Sequence, residues 1–583
     1  MAEPNPILVV SRRRVMAILV GMTLCGFVLV AQAVKLQVID TEFLQSEGEA
    51  RFLRQVEIPT MRGSIVDRNG EPLAVSTPVE SVWAHPGELL QEASDRIPLL
   101  ASVLGQDAEA IERRLTQRAD RQFVWIIRRI PPHLAERVRE LDIPGVFLQR
   151  EYRRFYPTAE VNSQVIGFTN IDEVGQEGLE LAYDNWLTGQ TGAKRVIQDR
   201  LGRVVEDVEL IQEAEAGREL RLTLDRRLQD LAYRELMATV ARHQARSGSV
   251  VVLDIPTGEV LAMVNYPSFN PNSRDRSPEG MRNRALTDMF EPGSVVKPFV
   301  VAAAMEAGIA RPDMLVDTSP GTMQVSGHTI RDIRNFGEMT VTGLLTKSSN
   351  VGIVQLAMAM DASHFWSLYS RLGFGGVTGT GFPGESAGKL RDHERWRKLE
   401  QATLSYGYGL AVTPLQLARA MAAIADEGRL RQPSFIHGSD NPPQAIIDPQ
   451  LARQVSLMLE TVTQEGGTAT RAAVPGYRVA AKTGTSRKSA VGGYSDRYIA
   501  SIAGFAPMVR PRIAVVAVIS DPTVGGYYGG LVAGPLFGQV MKDALRLMNV
   551  PPDDIDSLLA QRSAEADDDS YDDSYDNPAG ALQ

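Results

Sequence analysis

From Val15 to Val34 the chain runs for 20 residues without a charge (VMAILVGMTLCGFVLVAQAV). At about 1.5 Å rise per residue, a helix of that length spans roughly the 30 Å hydrocarbon core of a bilayer. Arg12, Arg13 and Arg14 stand immediately before it. Cationic residues on that flank place the N-terminus in the cytoplasm and everything after Lys35 on the far side. Ala31-Gln32-Ala33 offers a competing reading, a cleaved leader peptide. The apolar run is longer than a leader's usual core, so an uncleaved single-pass anchor is the favoured expectation. Either reading exports the rest of the chain.

A chain of 583 residues is too long for one core and implies two or three domains. A formal net charge of −10 argues against a nucleic-acid binder, which needs a basic face. The lone cysteine, Cys25, excludes an intrachain disulfide and any CxxC site. The seven histidines form no HExxH pattern, so no catalytic metal or other cofactor is expected. No GxSxG elbow occurs, which disfavours a Ser-His-Asp hydrolase. Only nine residues are lysine, so each lysine within a motif carries weight.

Past the anchor, residues 36–55 read as an amphipathic helical stalk. RGSIVDRNGEPLAVS (62–76) reads as strands around an Asn69-Gly70 hairpin turn. Residues 90–145 look helical, and 150–222 return to short strands and turns. From about Thr223 a new unit begins: SGSVVVLDIPTGEVLAMVNYPS (247–268) gives two strands about a Pro256-Thr257-Gly258 turn. Helical patterns fill 294–465, then YRVAAKTGT (477–485), YIASIAGFAP (498–507) and RIAVVAVISDP (512–522) read as three more strands. A last helix is expected over 535–548. Two early strands and three late ones around a helical middle predict one α/β domain with an antiparallel five-stranded sheet flanked by helices. The acidic stretch ADDDSYDDSYDN (566–577) lies in a tail, 551–583, expected to be disordered.

Single motifs are ambiguous here. Ser-x-x-Lys occurs at Ser294–Lys297 and at Ser386–Lys389; Ser-x-Asn occurs at Ser268, Ser348 and Ser439; Lys-Thr-Gly occurs at 482–484. Context separates them. Ser294 follows the turn Glu291-Pro292-Gly293 and precedes the apolar run VVKPFVVAAAMEAG. Pro298 fits only the first turn of a helix, so Ser294 belongs at a helix N-terminus with Lys297 one turn along. Ser386 and Lys389 lie in a Gly-rich stretch with no helix to follow. A serine hydroxyl needs a base, and a neutral lysine amine is one; burial and a second cation, Lys482, would lower the Lys297 pKa. The bland alternative is a capping serine beside an ion-paired lysine.

Ser348-Ser349-Asn350 falls at an apolar loop-to-helix transition, where Ser348 can relay a proton and Asn350 can bond a substrate amide. The alternative is a helix cap followed by a core amide. Lys482-Thr483-Gly484-Thr485 ends an apolar strand whose edge suits an extended peptide ending in a carboxylate. Gly484 admits a close backbone approach, and the N–H groups of Ser294 and Thr485 can form an oxyanion hole. The ordered set SxxK, SxN, KTG is that of serine acyl-enzymes acting on penicillins or their peptide counterparts.

EPGSVVKPF, KSSNVG and AAKTGT, with Arg62-Gly63 through Asp67-Arg68-Asn69-Gly70, RRFYP (153–157) and GLELAY (178–183), resemble the class B penicillin-binding proteins over roughly residues 12–550. SYGYGLAVTPLQLA (405–418) is similar to the division-specific type, where elongation-specific relatives usually carry Gly-Gln-Gly. The resemblance implies a cytoplasmic N-terminus (1–14), an anchor (15–34), a mostly-β N-terminal pedestal or dimerisation-type domain (35–222), a transpeptidase domain (223–550) and the acidic tail. It implies a bacterial inner-membrane enzyme with a periplasmic catalytic domain. Ser294 would cleave the D-Ala-D-Ala bond of a peptidoglycan stem peptide and pass the acyl group to a neighbouring amine during septal wall synthesis. β-Lactams would acylate Ser294, and a membrane-embedded septal glycosyltransferase and other divisome proteins would be partners. Arg487-Lys488 would make the mouth of the groove basic; Tyr498, Tyr527 and Tyr528 would wall it or pack beneath it. Two alternatives stay open: a hydrolase (D,D-carboxypeptidase or β-lactamase-like) and a non-catalytic scaffold.

Overall fold

The computed structural model describes residues 12–39, 53–198, 204–273, 275–490 and 492–559. Arg12–Val34 forms one helix of 23 residues with no buried residue, its three leading arginines followed by the 20-residue uncharged run. Lys35–Ile39 continues it as a π turn. Residues 40–52 of the predicted stalk lie outside the described residues. The stalk's last residues are not helical. Leu53–Ile58 is a strand paired antiparallel with Gly192–Gln198, which in turn pairs with Val204–Gln212. Cross-strand partners distant in sequence supply the backbone bonds that a local helical reading cannot foresee.

The remainder folds as two compact units, divided at several points along the chain. One holds the residues up to Met61 together with 78–152 and 189–216; the other holds 62–77, 153–188 and everything from 217 onward. Within the first unit, four helices (Pro86–Glu92, Ile97–Leu104, Ala108–Thr116 and Pro132–Glu140) bury Leu89, Ile97, Leu100, Ile111 and Leu115 with Val82, Val124 and Ile126. The helical expectation over 90–145 is broken by the strand Val124–Ile130, whose buried Val124 and Ile126 alternate with half-buried neighbours. This unit mixes sheet and helix.

The second unit gathers the N-terminal sequence motifs into one buried ionic cluster. Glu180 accepts from Arg62 Nε at 2.8 Å and from Arg154 Nε at 2.7 Å, and all three residues are buried. Arg62 also reaches Asp184, while Arg154 donates to the carbonyl of Gly63. A carboxylate this deep is tolerated because two guanidinium groups pair with it, although Arg154 Nη2 is itself buried without a hydrogen-bond partner. The predicted hairpin forms: Ile65–Val66 pairs with the start of Pro72–Ala84, and Gly70 takes φ 90° in the turn.

The main sheet has five antiparallel strands, in agreement with expectation. They are β1 (Ser247–Asp254), β2 (Val260–Tyr266), β3 (Ala480–Ala490), β4 (Gly493–Ala506) and β5 (Ile513–Ser520), in the order β2-β1-β5-β4-β3. β1 is buried along its whole length, as expected for a central strand covered on both faces. α1 (Arg226–Arg242) and a C-terminal helix, Gly529–Leu547, pack with the sheet. The latter begins six residues before the predicted start and contains Pro535. Glycine explains the early start. A Cβ on Gly529 would stand 2.3 Å from the Gly484 carbonyl oxygen, so only glycine lets the helix approach the sheet here. The segment after it also departs from expectation. Residues 551–559 are held in place, because Asp553 accepts from the backbone N–H groups of Arg478, Met508 and Val509. Residues 560–583 lie outside the described residues.

Candidate active site

Ser294 sits in a 3₁₀ turn, Gly293–Val296, that leads into α2 (Lys297–Glu306) with Pro298 in its first turn. This is the predicted helix start. Lys297 is fully buried, whereas Ser294 remains partly exposed. The Lys297 ammonium donates to the Ser348 carbonyl at 2.7 Å, to Ser348 Oγ at 3.3 Å and to Asn350 Oδ1 at 2.7 Å. These bonds run to the Ser348-Ser349-Asn350 turn and not to Ser294. Lys482 is also fully buried and donates to Ser348 Oγ at 3.0 Å and to the Thr483 carbonyl at 3.1 Å. One hydroxyl thus joins two lysines that are 185 positions apart in sequence (482 − 297).

Burial disfavours the charged form of both amines. It pushes Lys482 from 10.5 down to about 7. Lys297 lies well below its ordinary value, first from burial and second from the Lys482 charge, with Asp332 pulling weakly the other way.

Ser348 ends α3 (Val341–Lys347) in the left-handed region, φ 59° and ψ 42°, and Ser349 caps α4 (Asn350–Ala359). A non-glycine residue there costs roughly 1–3 kcal/mol and persists only where its surroundings hold it. Asp332 does the holding. Its carboxylate accepts from Ser349 Oγ at 2.6 Å and from the N–H groups of Asn350 and Val351. Asn350 Nδ2 donates to the Arg331 carbonyl at 2.9 Å, so both ends of that amide are engaged within the protein, each with one further bond to give.

On the opposite wall, β3 forms the sheet edge, and Lys482, Thr483, Gly484 and Thr485 pair in register with Ala503, Ile502, Ser501 and Ala500. A Cβ on Gly484 would meet Ser501 Oγ at 2.5 Å and the Pro292 carbonyl at 2.6 Å; one on Gly293 would lie 3.0 Å from the Thr485 carbonyl. The serine turn is therefore pressed against the strand, with the backbones of Ser294 and Thr485 as neighbours. Thr483 shares a 3.0 Å hydrogen bond with Thr468, and Thr485 Oγ1 accepts from the Gly529 N–H at 3.0 Å. All the predicted site residues converge here, while Ser386 and Lys389 fall in a separate loop whose Lys389 pairs with Ala411.

Several contributors were not foreseen. Asp332 lies 16 positions before Ser348 in no motif, so nothing in the sequence marked it. Glu291 Oε1 accepts from the Gly409 N–H at 2.7 Å and from Tyr494 Oη at 3.2 Å, and Gly293 donates to the Gly407 carbonyl at 3.2 Å. Gly407, at φ 86°, would place a Cβ 2.1 Å from the Gly293 oxygen. The glycines of SYGYG thus fasten that loop to the serine turn. Arg487 and Lys488 do not make the mouth freely basic, because Arg487 pairs with Asp496 and Lys488 with Asp521 at 2.9 Å. Tyr498 stacks on Tyr527 with ring centroids 4.0 Å apart, and Tyr528 lies tilted against Tyr527 at 4.7 Å.

Residues 248–542 match the family described as penicillin binding protein transpeptidase domain, and residues 57–222 match the penicillin-binding protein dimerisation domain. The chain belongs to the class B penicillin-binding proteins. This penicillin-binding protein is 45% identical over 543 residues to the peptidoglycan D,D-transpeptidase FtsI of Escherichia coli (strain K12), a match covering 91% of this chain and 92% of that one. It is 41% identical over 555 residues to the probable peptidoglycan D,D-transpeptidase PbpC of Pseudomonas aeruginosa, covering 94% and 97%. Among solved structures, the transpeptidase domain of penicillin-binding protein 3 from Burkholderia pseudomallei is 43% identical, with a TM-score of 0.53, over 57% of this chain and 97% of that domain. A peptidoglycan synthetase from Bifidobacterium adolescentis, 25% identical, aligns over 86% of this chain and 97% of its own with a TM-score of 0.67.

Proposed function

We propose that this chain is a serine peptidoglycan D,D-transpeptidase of septal wall synthesis and a target of β-lactams. The observation that carries the reading is the Ser348 hydroxyl held between two fully buried lysines, one of which, Lys297, follows Ser294 by one turn. Neutral Lys297 takes the Ser294 proton as Oγ bonds the penultimate D-alanine carbonyl carbon. The backbone N–H groups of Ser294 and Thr485 stabilise the oxyanion, each donor worth about 3–4 kcal/mol. The C–N bond then breaks, and the terminal D-alanine leaves with a proton relayed from Lys297 through Ser348. Lys482 and the hydroxyls of Thr483 and Thr485 receive the donor's carboxylate, Gly484 lets its backbone lie along β3, and Asn350 bonds its amide. The helix Arg12–Val34 is a single-pass anchor in the bacterial inner membrane, with residues 1–14 in the cytoplasm and the catalytic domain, 223–550, in the periplasm. Residues 35–222 are a non-catalytic block serving assembly with a membrane-embedded septal glycosyltransferase and other divisome proteins.

Mass spectrometry of the full chain after benzylpenicillin treatment tests this. The expected result is one adduct on the peptide containing Ser294, stable for hours, and none in Ser294→Ala. Release within seconds would mean that water is the natural acceptor. An adduct elsewhere would overturn the site.

A further inference from the structure

Transpeptidation must solve a problem that the acylation site does not address. Once D-alanine has left, the second peptide must bring an amine to the acyl carbon ahead of water, without a covalent tether. It needs contacts outside the acylation machinery to raise its effective concentration.

The loop 331–336 (Arg-Asp-Ile-Arg-Asn-Phe) offers them. Ile333 is 79% exposed, more than any other large apolar side chain among the described residues, including those of the lipid-spanning helix. Arg331 and Arg334 flank it, both exposed, and neither makes an ion pair among the described residues. The cations across the groove differ in this respect, since Arg487 and Lys488 are each paired with a carboxylate. The Arg334 guanidinium sits 5.2 Å from the Phe336 ring centroid, which leaves its N–H edges available.

The loop is also fixed in place. The Asp332 carboxylate grips Ser349, Asn350 and Val351, the Asp332 N–H bonds the Gly321 carbonyl at 2.9 Å, and the Arg331 carbonyl receives Asn350 Nδ2. An exposed isoleucine between two unpaired arginines is thus held rigidly on the turn that carries Ser348. Preorganisation of this kind lowers the ordering cost of binding.

We infer that the 331–336 loop is the acceptor-strand subsite, taking an acidic, alanine-bearing peptide whose carboxylates pair with Arg331 and Arg334 and whose apolar body rests on Ile333. The inference rests on the transpeptidase reading above. The donor is left to the β3 edge, on the other wall of the groove. In the transfer step the acceptor nitrogen bonds the acyl carbon and the bond from that carbon to Ser294 Oγ breaks. The proton shed by the nitrogen returns to Oγ through Lys297.

The test uses the full chain in detergent with an acyl-D-alanyl thioester donor and two acceptors: the dipeptide alanyl-glutamate, and the same dipeptide with both carboxylates amidated. The ratio of aminolysis to hydrolysis is read for each. The wild-type chain should favour the carboxylate form by at least tenfold. Arg334→Gln and Arg331→Gln together should bring the two forms within twofold of each other, and Arg334→Glu should invert the preference. Ile333→Ser should lower transfer to both forms severalfold. Benzylpenicillin acylation, followed in parallel, should move by less than twofold in each variant. No preference in the wild type, or a preference that survives loss of both arginines, overturns the subsite and leaves the loop to a protein partner. Equal loss of transfer and acylation makes the loop structural only, which also overturns it. Failure of the wild type to be acylated by penicillin at all instead removes the functional reading, and this inference with it.

Discussion

Two lysines and a hydroxyl that share one buried hydrogen-bonded cluster cannot all keep their ordinary protonation. An unfolded chain holds the Lys482 proton to about pH 10.5, whereas the folded chain releases it near 7. Between those values the unfolded state binds more protons, so stability rises with pH; below 7 the folded state bears the full burden of the buried charge. The gap amounts to roughly 5 kcal/mol as an upper bound. Lys482→Met should therefore raise the thermal midpoint at pH 6 by several degrees, with the gain shrinking toward pH 9, while penicillin acylation falls by about a hundredfold or more. Melting curves and acylation rates measured at both pH values decide this. A destabilised variant at pH 6 would mean that the ammonium is well solvated. The same titration should shape catalysis. The second-order rate for a donor ending in a carboxylate should decline above about pH 7 as Lys482 loses its charge. A donor amidated at that end should lack this limb.

At the scale of the element, β3 and the turn after α3 are shaped by groups that are easy to overlook. Gly484→Ala would drive a methyl group into Ser501 Oγ and the Pro292 carbonyl. Backbone cannot yield as a side-chain tip can, so a loss of about 1–3 kcal/mol is expected, together with an acylation rate at least tenfold lower as the serine turn shifts. Differential scanning calorimetry and stopped-flow acylation check the two halves separately. Asp332→Asn keeps the shape but replaces an acceptor oxygen with a donor facing Ser349 or the α4 N-terminus. It should cost about 1–3 kcal/mol and slow acylation severalfold, although Asp332 lies outside every motif. These two residues also show what the sequence could and could not reveal. Gly484 was legible because it belongs to a three-residue motif ending an apolar strand. Asp332 was not, since its role depends on a fold that brings position 332 to positions 349–351. The same difference separates the five strands, each readable as a local apolar run, from the early start of the Gly529–Leu547 helix. There the local pattern suggested a start at 535, and only the close approach to the sheet explains the glycines before it.

For the whole molecule, the N-terminal motifs have a structural account. Arg62, Arg154 and Glu180 come from three separated segments and meet at one buried site. Glu180→Gln leaves the buried Arg154 guanidinium without its counter-ion and Arg62 with Asp184 alone, and breaking a buried pair in this way typically costs about 3–5 kcal/mol. Urea unfolding followed by tryptophan fluorescence should show that loss, while acylation by the fraction still folded stays close to wild type. Fold class and the set of motifs that the fold brings together were readable from local pattern and motif order. The interleaving of segments 62–77 and 153–188 with the C-terminal unit was not, because ionic contacts between distant segments leave no periodic trace.

The position of β3 at the border of its sheet has a consequence for how such an enzyme can be protected. A strand border with unpaired backbone groups invites any extended chain, whether substrate or a neighbouring protein. Covering it would abolish catalysis, so self-association must be prevented by other means. The distal part of β3 carries Arg487 and Lys488 and turns polar beyond the Lys482–Thr485 stretch. Charged side chains at an open edge disfavour pairing with a further strand, even where each is matched by a carboxylate of its own chain, as Arg487 and Lys488 are. Their neutralisation would be felt first as clumping on overexpression, before any change in turnover.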